Sequence, residues 1–226
     1  MSHKKVFFMP FDPTKNPAAV KEYGNTPTGF NKNQAMIDHE LAKGNVATQV
    51  WFTGKKDPFL AGMHDGQVYI RGHGMPGANT VEGGRGGENL KYTDVVARLI
   101  KSGLPKTFTG KIKCYNCHSA ETVDPTGLIS REIVETHGEA FAQLLADEMF
   151  SKGYKKCTFY GYQGSIDSMP KDGTGGRHKF VRGLVKGTDG ISKQVELGRV
   201  SDFRHQFKPK SMPKKPTFMG MLFGGM

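Results

Sequence analysis

Two short stretches decide the fold: Gln67-Val68-Tyr69-Ile70-Arg71-Gly72-His73-Gly74 and Lys111-Ile112-Lys113-Cys114-Tyr115-Asn116-Cys117. Each begins as a run of apolar residues bounded by polar residues or glycine, which is typical of a β-strand. One run leads to a histidine and the other to a cysteine. If the two strands are parallel neighbours, His73 and Cys117 lie at the same edge of one sheet.

The rest of the chain repeats an alternation of strands and helices. A helix pattern has apolar residues at three- and four-residue steps, and a glycine commonly follows its last turn. The predicted strands are residues 5–9, 47–52, 67–71, 111–116 and 156–160, and the predicted helices are residues 31–43, 93–102 and 139–152. This alternation predicts an α/β fold whose mostly parallel sheet is covered on both faces.

The charge of the chain is concentrated near its C-terminus. The 226 residues carry a formal net charge of +11, and residues 171–226 contribute +8, from twelve Lys and Arg against four Asp and Glu. We expect a domain over residues 1–170 and a basic extension over residues 171–226, partly packed on the domain and flexible at its end. A basic extension can contact nucleic acid or an anionic surface. It has no helix-turn-helix, zinc-finger or RNA-binding signature.

Membrane insertion and disulfide scaffolding are not expected. No apolar run approaches the roughly 20 residues that span a bilayer, so we expect no transmembrane segment. The apolar stretch near the N-terminus, 6–10, is too short for the core of a signal peptide. Three cysteines do not make a disulfide framework. These features favour a cytoplasmic protein, or one exported without a recognisable signal peptide.

The residue types at the two strand ends suggest nucleophilic catalysis. A thiol becomes a strong nucleophile when a neighbouring imidazole takes its proton, and the imidazole can return that proton to a leaving group. Gly72 and Gly74 leave space beside His73, and the N–H groups of Gly74 and Cys117 are candidates for an oxyanion hole. Cys114 lies three residues earlier within the strand, so its side chain should face away from that of Cys117. We therefore favour Cys117 as the nucleophile.

The two quoted stretches resemble the clan CD cysteine peptidases, which include caspases, gingipains and the CHAT domains. The resemblance extends as architecture over residues 5–168 and is specific at the two short motifs. It implies a caspase-like three-layer α/β/α sandwich and a cysteine endopeptidase, a thiol protease that works without a cofactor on a peptide or protein substrate. By resemblance, His73 is the general base and acid, Cys117 is the nucleophile, and the N–H groups of Gly74 and Cys117 form the oxyanion hole.

The resemblance also places a substrate pocket along residues 161–167. Gln163 and Asp167 lie in this segment, and Asp167 can pair with a basic substrate side chain. An acidic side chain would instead need a cation, and the candidates are Arg71, Arg85 and Arg177. The sequence leaves the charge of the preferred substrate open.

Several other readings of the same residues also remain open. Residues 114–118 match the Cys-x-x-Cys-His pattern of haem attachment, and the two cysteines with His73 or His118 are possible zinc ligands. A non-catalytic binding or adhesion module on this scaffold, or a Cys-His acyltransferase or deamidase, would share the motifs. The long loops predicted over residues 75–89 and 118–137 suggest a site that needs ordering before it works, with the glycine-rich first loop forming a flap beside His73.

Overall fold

The computed structural model describes residues 3–24, 31–122, 139–167, 171–173, 176–186 and 190–210. In chain order the strands are β1 (Lys4–Met9), β2 (Val46–Trp51), β3 (Gln67–Ile70), β4 (Thr80–Glu82), β5 (Asn89–Lys91), β6 (Lys111–Cys114), β7 (Thr158–Tyr162), β8 (Ser165–Ile166), β9 (Lys171–Gly173), β10 (Gly176–His178), β11 (Phe180–Lys186), β12 (Ser192–Arg199) and β13 (Arg204–Phe207). The helices are α1 (Pro17–Tyr23), α2 (Gln34–Ala42), α3 (Pro58–Ala61), α4 (Tyr92–Lys101) and α5 (Phe141–Ser151), and a 3-10 turn, η1, covers Val200–Phe203.

A six-stranded sheet with the order β13-β7-β6-β3-β1-β2 forms the centre of the molecule. Five of its strands pair in parallel, and β13 pairs antiparallel with β7 at one edge. The predicted α/β fold with a mostly parallel sheet is confirmed. The edge strand β13 lies in the basic region 171–226, which therefore supplies part of the central sheet. Smaller antiparallel sheets join β4 to β5, β9 to β10, and β8 and β12 to β11.

The two faces of the central sheet bury different side chains. Successive residues of a strand point to opposite faces, so each strand serves two cores. Ile70, Ile112 and Cys114 belong to a mostly aliphatic core that includes buried residues of α4 and α5. Tyr69 and Tyr115 belong to an aromatic cluster on the other face, with contributions from α2, β11 and η1. The second covering layer is therefore one helix together with a small antiparallel sheet.

The three helices predicted from periodicity are present as α2, α4 and α5, and shorter elements were not predicted. Helix α1 has a clear start, because the Asn16 side chain accepts the N–H of Ala19 at 3.0 Å and Pro17 follows it. It has only seven residues, of which Ala19 and Tyr23 are buried. Too few apolar residues recur in it for a periodic pattern to show.

The glycine-rich segment after β3 contains more regular structure than the predicted loop over residues 75–89. Strands β4 and β5 pair within it, and the backbone of Glu82 exchanges hydrogen bonds of 2.8 and 2.9 Å with that of His73. This bridge places the segment beside His73, where a flap was expected. The second predicted loop, residues 118–137, is described only as far as residue 122. No helix in the described part of the chain is long and apolar enough to cross a membrane.

The glycine before β3 supports a close approach of two strands. Gly66 has a φ of 100°, and a Cβ at this position would lie 2.3 Å from the carbonyl oxygen of Lys4. Gly86 also has a positive φ, 73°, but nothing lies within 4 Å of its Cβ position. Comparing alanine substitutions at Gly66 and Gly86 therefore distinguishes the cost of a left-handed backbone from the cost of steric overlap.

We expect Gly66→Ala to destabilise the protein more than Gly86→Ala. The left-handed backbone should cost each variant about 1–2 kcal/mol, and the overlap with Lys4 should cost Gly66→Ala a further 1–3 kcal/mol, roughly. Urea unfolding followed by the fluorescence of Trp51, the single tryptophan, measures both. Equal losses in the two variants would show that β1 moves to accommodate the methyl group at no cost.

Candidate active site at the carboxyl edge of the sheet

His73 and Cys117 line one small cavity at the ends of two neighbouring strands. Strands β3 and β6 are parallel and pair Ile70 with Cys114, so each candidate residue lies three positions beyond a paired residue. The cavity measures about 30 Å³, and its wall also includes Arg71, Tyr115, Asn116, Ile166 and Asp167. Room for about two water molecules is available. The structure thus brings together the two residues that the sequence singled out.

Gly74 lets the two strand ends approach each other. A Cβ on Gly74 would lie 2.3 Å from the carbonyl oxygen of Cys117 and 2.6 Å from Nδ2 of Asn116. Any side chain at this position would therefore push the histidine segment away from the cysteine segment. Among the described residues, the N–H of Gly74 has no recorded acceptor, and the N–H of Cys117 interacts with its own sulfur. These are the two donors that the sequence predicted for an oxyanion hole.

The sulfur of Cys117 is half-buried against the start of β8. The N–H of Ile166 donates to Sγ at 3.2 Å, and the Ile166 carbonyl lies 3.8 Å from the same atom. Burial raises the pKa of the Cys117 thiol, although the Ile166 N–H and the charge of Arg71 act in the opposite direction. The sulfur therefore rests as a thiol, and a nucleophile requires a base that accepts its proton.

The imidazole of His73 is held by Glu22, a residue that sequence reasoning missed. Nε2 of His73 and Oε2 of Glu22 are 2.7 Å apart, which makes Nε2 the donor and leaves Nδ1 as the acceptor. Glu22 also forms an ion pair with Lys32 and accepts the N–H of Arg85 at 2.9 Å. Burial alone would raise the pKa of Glu22, but these hydrogen bonds outweigh it and lower the pKa to about 2. No local motif marks Glu22, because its partner is distant in sequence.

Arg71 and Asp167 both line the cavity, but only Asp167 has a protein partner of opposite charge. Arg71 is buried, with Nε bound to Asn33 at 2.7 Å and a guanidinium nitrogen bound to the carbonyl of Tyr115 at 2.8 Å. Both acceptors are neutral. Asp167 forms an ion pair with Arg182, with 2.6 Å between Oδ1 and Nε. The carboxylate proposed to meet a basic substrate is thus already matched by a protein cation.

Gln163 and Arg85, two further residues proposed for substrate binding, do not line the small cavity. Gln163 is 1% exposed and contacts His205 on β13, at 3.3 Å. Arg85 lines a wider cavity, about 450 Å³, together with Lys21 and Lys32. The side chain of Arg177 lies outside the described part of the chain. His73 and Lys32 line both the narrow cavity at Cys117 and this wider one.

His118 supports the shape of the site and does not line it. Its ring lies between Oε2 of Glu121, at 2.5 Å from Nδ1, and Oγ of Ser165, at 2.9 Å from Nε2. Its φ of 58° is unusual for a residue other than glycine. Its backbone N–H donates to Gly164 at 2.9 Å. These bonds fix the turn after Cys117 against the β7–β8 turn.

The cysteine and histidine side chains do not form a shared ligand set. Cys114 is fully buried in the aliphatic core, whereas Cys117 faces the small cavity. Both ring nitrogens of His118 already have partners. Within the described residues, no three His, Cys, Asp or Glu side chains converge as a metal ion requires. The arrangement argues against the zinc and haem readings of residues 114–118.

Glu22→Gln should destabilise the protein in a pH-dependent way. The carboxylate has a pKa of about 2 in the folded protein against an ordinary 4.5, so the folded state binds fewer protons and gains stability above pH 4.5. The free energy of unfolding of wild type should exceed that of the variant at pH 7, and the gap should close as the pH falls from 4.5 to about 2. Chemical unfolding at several pH values measures the gap. A difference in the free energy of unfolding that does not change with pH would contradict a lowered pKa of Glu22 in the folded protein.

Alkylation of Cys117 should require alkaline conditions. Because burial raises the thiol pKa, the rate of reaction with iodoacetamide should rise with pH, with a midpoint above that of N-acetylcysteine. Mass spectrometry of the peptide that contains Cys117 gives the rate, in wild type and in His73→Ala. A midpoint below neutral pH in the wild type would instead indicate a resting thiolate–imidazolium pair.

Comparisons with models of protein families, with curated proteins and with solved structures found no match to this chain. What the site does must follow from its own chemistry: a thiol and an imidazole that line one cavity, with the imidazole held by a carboxylate.

Proposed function

We propose that the protein is a cysteine endopeptidase, a hydrolase that cleaves peptide bonds through a thioester. The observation that carries this proposal is the shared cavity of His73 and Cys117 at the ends of adjacent parallel strands. Glu22 adds a third group, which orients the imidazole in the way an acidic residue does in catalytic triads.

The first half of the reaction forms a thioester. Nδ1 of His73 takes the thiol proton as Sγ of Cys117 attacks the carbonyl carbon of the substrate. The carboxylate of Glu22 stabilises the imidazolium that results. The N–H groups of Gly74 and Cys117 bind the developing oxyanion, a contribution of the kind that costs about 10²–10³ in rate when one donor is lost. The imidazolium then gives its proton to the leaving amine.

The second half returns the enzyme to its starting state. A water molecule enters in place of the amine and gives a proton to Nδ1 of His73 as its oxygen attacks the thioester carbon. The tetrahedral intermediate collapses, the carbon–sulfur bond breaks, and Cys117 takes back a proton from His73. Because the thiol has a raised pKa, proton transfer to His73 has to accompany each attack.

The architecture supports a place in the clan CD group. The candidate residues follow two adjacent strands of a six-stranded, mostly parallel sheet, in the order histidine then cysteine. Ligand sites in open α/β sheets lie at the carboxyl ends of the strands. The caspase-like arrangement is a proposal that rests on this topology and on the two sequence motifs.

The charges around the cavity favour an acidic substrate side chain before the cleaved bond. Arg71 lines the cavity, and among the described residues no carboxylate forms a salt bridge with it. Asp167 is held by Arg182 and offers less attraction to a basic side chain. A carboxylate suits the guanidinium fork of Arg71.

A non-catalytic binding module is the second candidate, and the size of the cavity favours it. About 30 Å³ beside Cys117 does not admit a substrate side chain. The endopeptidase therefore requires the wall of the cavity to open when substrate binds, whereas a binding module requires no opening.

Labelling with an irreversible peptidyl ketone tests the proposal. A peptide with aspartate at its reactive end should label Cys117 in the wild type, and His73→Ala should reduce the rate at least about a hundredfold, as expected for loss of a general base. Glu22→Gln should reduce it by a smaller factor. An otherwise identical peptide with lysine should react more slowly with the wild type.

Cys157→Ser is the matched control, because Cys157 is also a half-buried free thiol but lies away from the cavity. In Cys157→Ser, the ketone should label Cys117 at the wild-type rate. A peptide library with mass-spectrometric product analysis then separates cleavage from deamidation, which adds about 1 Da without breaking the chain. Labelling that is absent, or unchanged in His73→Ala, would favour the binding module.

A further inference from the structure

A second cavity, which we call the tyrosine cavity, lies on the aromatic face of the central sheet. It measures about 280 Å³, and its sheet side is formed by Tyr69, Tyr115, Tyr162 and Lys113. Helix α2 and the residues that join β12 to β13 form the other walls. This volume is close to the lower end of the range for small-molecule sites. Tyr115 also lines the cavity at Cys117, so the two spaces are neighbours.

Lys179 is a buried cation in the wall of the tyrosine cavity. Its side chain is 6% exposed, and among the described residues Nζ has no hydrogen-bond partner. The centroid of the Tyr115 ring lies 5.7 Å from Nζ, and the negative charge of Asp167 also acts on the amine. Burial lowers the pKa of Lys179 well below its ordinary value, and the positive charge of Arg71 adds to the effect. An ammonium group is rarely buried without a partner, because the loss of hydration is costly.

Lys113 presents a second buried amine to the same space. It is also 6% exposed, and its Nζ contacts only neutral groups among the described residues, the Gln67 side chain at 2.6 Å and the Tyr69 hydroxyl at 3.1 Å. Burial lowers the pKa of Lys113 to about 7, with the charge of Arg204 as the next contribution. An anion in the cavity would keep both amines protonated.

The remaining charges of the wall are mostly positive. Arg199 and Arg204 line the cavity from the β12–β13 side. Among the described residues of the wall, Glu40 is the one carboxylate, and it is already held by Lys5, at 2.5 Å, and by the side chain of Asn45, at 2.7 Å. The cavity therefore combines several cations with a wall of aromatic rings and has little negative charge of its own to offset them.

We propose that the tyrosine cavity binds a small organic anion, a phosphate or carboxylate group attached to a compact flat body. The acidic group contacts Lys179 and Lys113, and the body packs against the tyrosine rings. Arginine at the rim adds long-range attraction. The proposal does not depend on catalysis at Cys117, because none of the groups that would hold the anion takes part in the thioester chemistry.

Isothermal titration calorimetry on the full chain tests this site with phenyl phosphate and benzoate as probes and phenol as the neutral control. At least one of the two anions should bind, and phenol should bind at least tenfold more weakly. Comparing phenyl phosphate with benzoate identifies the preferred acidic group. Inorganic phosphate lacks the phenyl ring of phenyl phosphate, and it should bind more weakly if that ring contributes to the affinity. Cys117→Ser should bind like the wild type, which separates this proposal from the proposed peptidase.

Lys179→Met removes the unpartnered charge while filling the same space, so the fold should tolerate it. We expect it to weaken binding of the preferred anion at least tenfold. The control is Lys101→Met, which changes the net charge equally. Lys101 is exposed at the end of α4, on the other face of the sheet, so the dissociation constant of this variant should stay within twofold of the wild-type value. Equal effects of the two substitutions, or no binding of either anion at millimolar concentration, would overturn the proposal.

Discussion

The parallel pairing of β3 with β6 is the constraint on which the candidate site depends. Because Ile70 pairs with Cys114, the chain reaches His73 and Cys117 after the same number of residues beyond the sheet. A shift of one residue in this register would turn every side chain of one strand to the opposite face. The site therefore shares its stability with the aliphatic core, in which Ile70 and Cys114 are fully buried.

Contacts beyond the sheet hold the two strand ends at a short distance. Gly74 lies against the backbone of Cys117, and Arg71 binds the carbonyl of Tyr115 across the gap between the strands. On the far side of Cys117, His118 joins Glu121 and Ser165. The bonds of Arg71 with Tyr115 and of His118 with Ser165 each link two neighbouring turns, and together with the close approach of Gly74 they form a pre-organised edge. Such rigidity is what oxyanion stabilisation requires, because the donors must be in place before charge develops.

The two faces of the central sheet differ in how completely their side chains are packed. The face under α4 and α5 is closely packed and mostly aliphatic. The opposite face carries tyrosines and two buried lysines, and its covering layer leaves a cavity of about 280 Å³. Buried polar side chains lower stability unless a partner satisfies them. Lys113 and Lys179 are both buried beside this cavity, and the anion that we propose there would satisfy their charges.

The strands of the central sheet, the longer helices and the two residues at the strand ends could be predicted from the amino-acid sequence, except for the edge strand β13. Those features depend on local patterns: apolar runs for β3 and β6, three- and four-residue periodicity for α4 and α5, and glycine around His73. The same patterns distinguished Cys114 from Cys117, because alternation along a strand is a local property.

The groups that contact those residues depend on the three-dimensional arrangement of the chain. Glu22 reaches His73 from a helix too short to show a pattern, and Arg182 takes up the charge of Asp167. Lys179 is a buried amine beside Tyr69 in β3, Tyr162 in β7 and Tyr115 just after β6. Electrostatic partners are selected by distance in space, and in a parallel sheet that distance depends on crossover connections that bring together segments far apart in sequence. A local pattern therefore locates a nucleophile and its base but not the groups that set their charge.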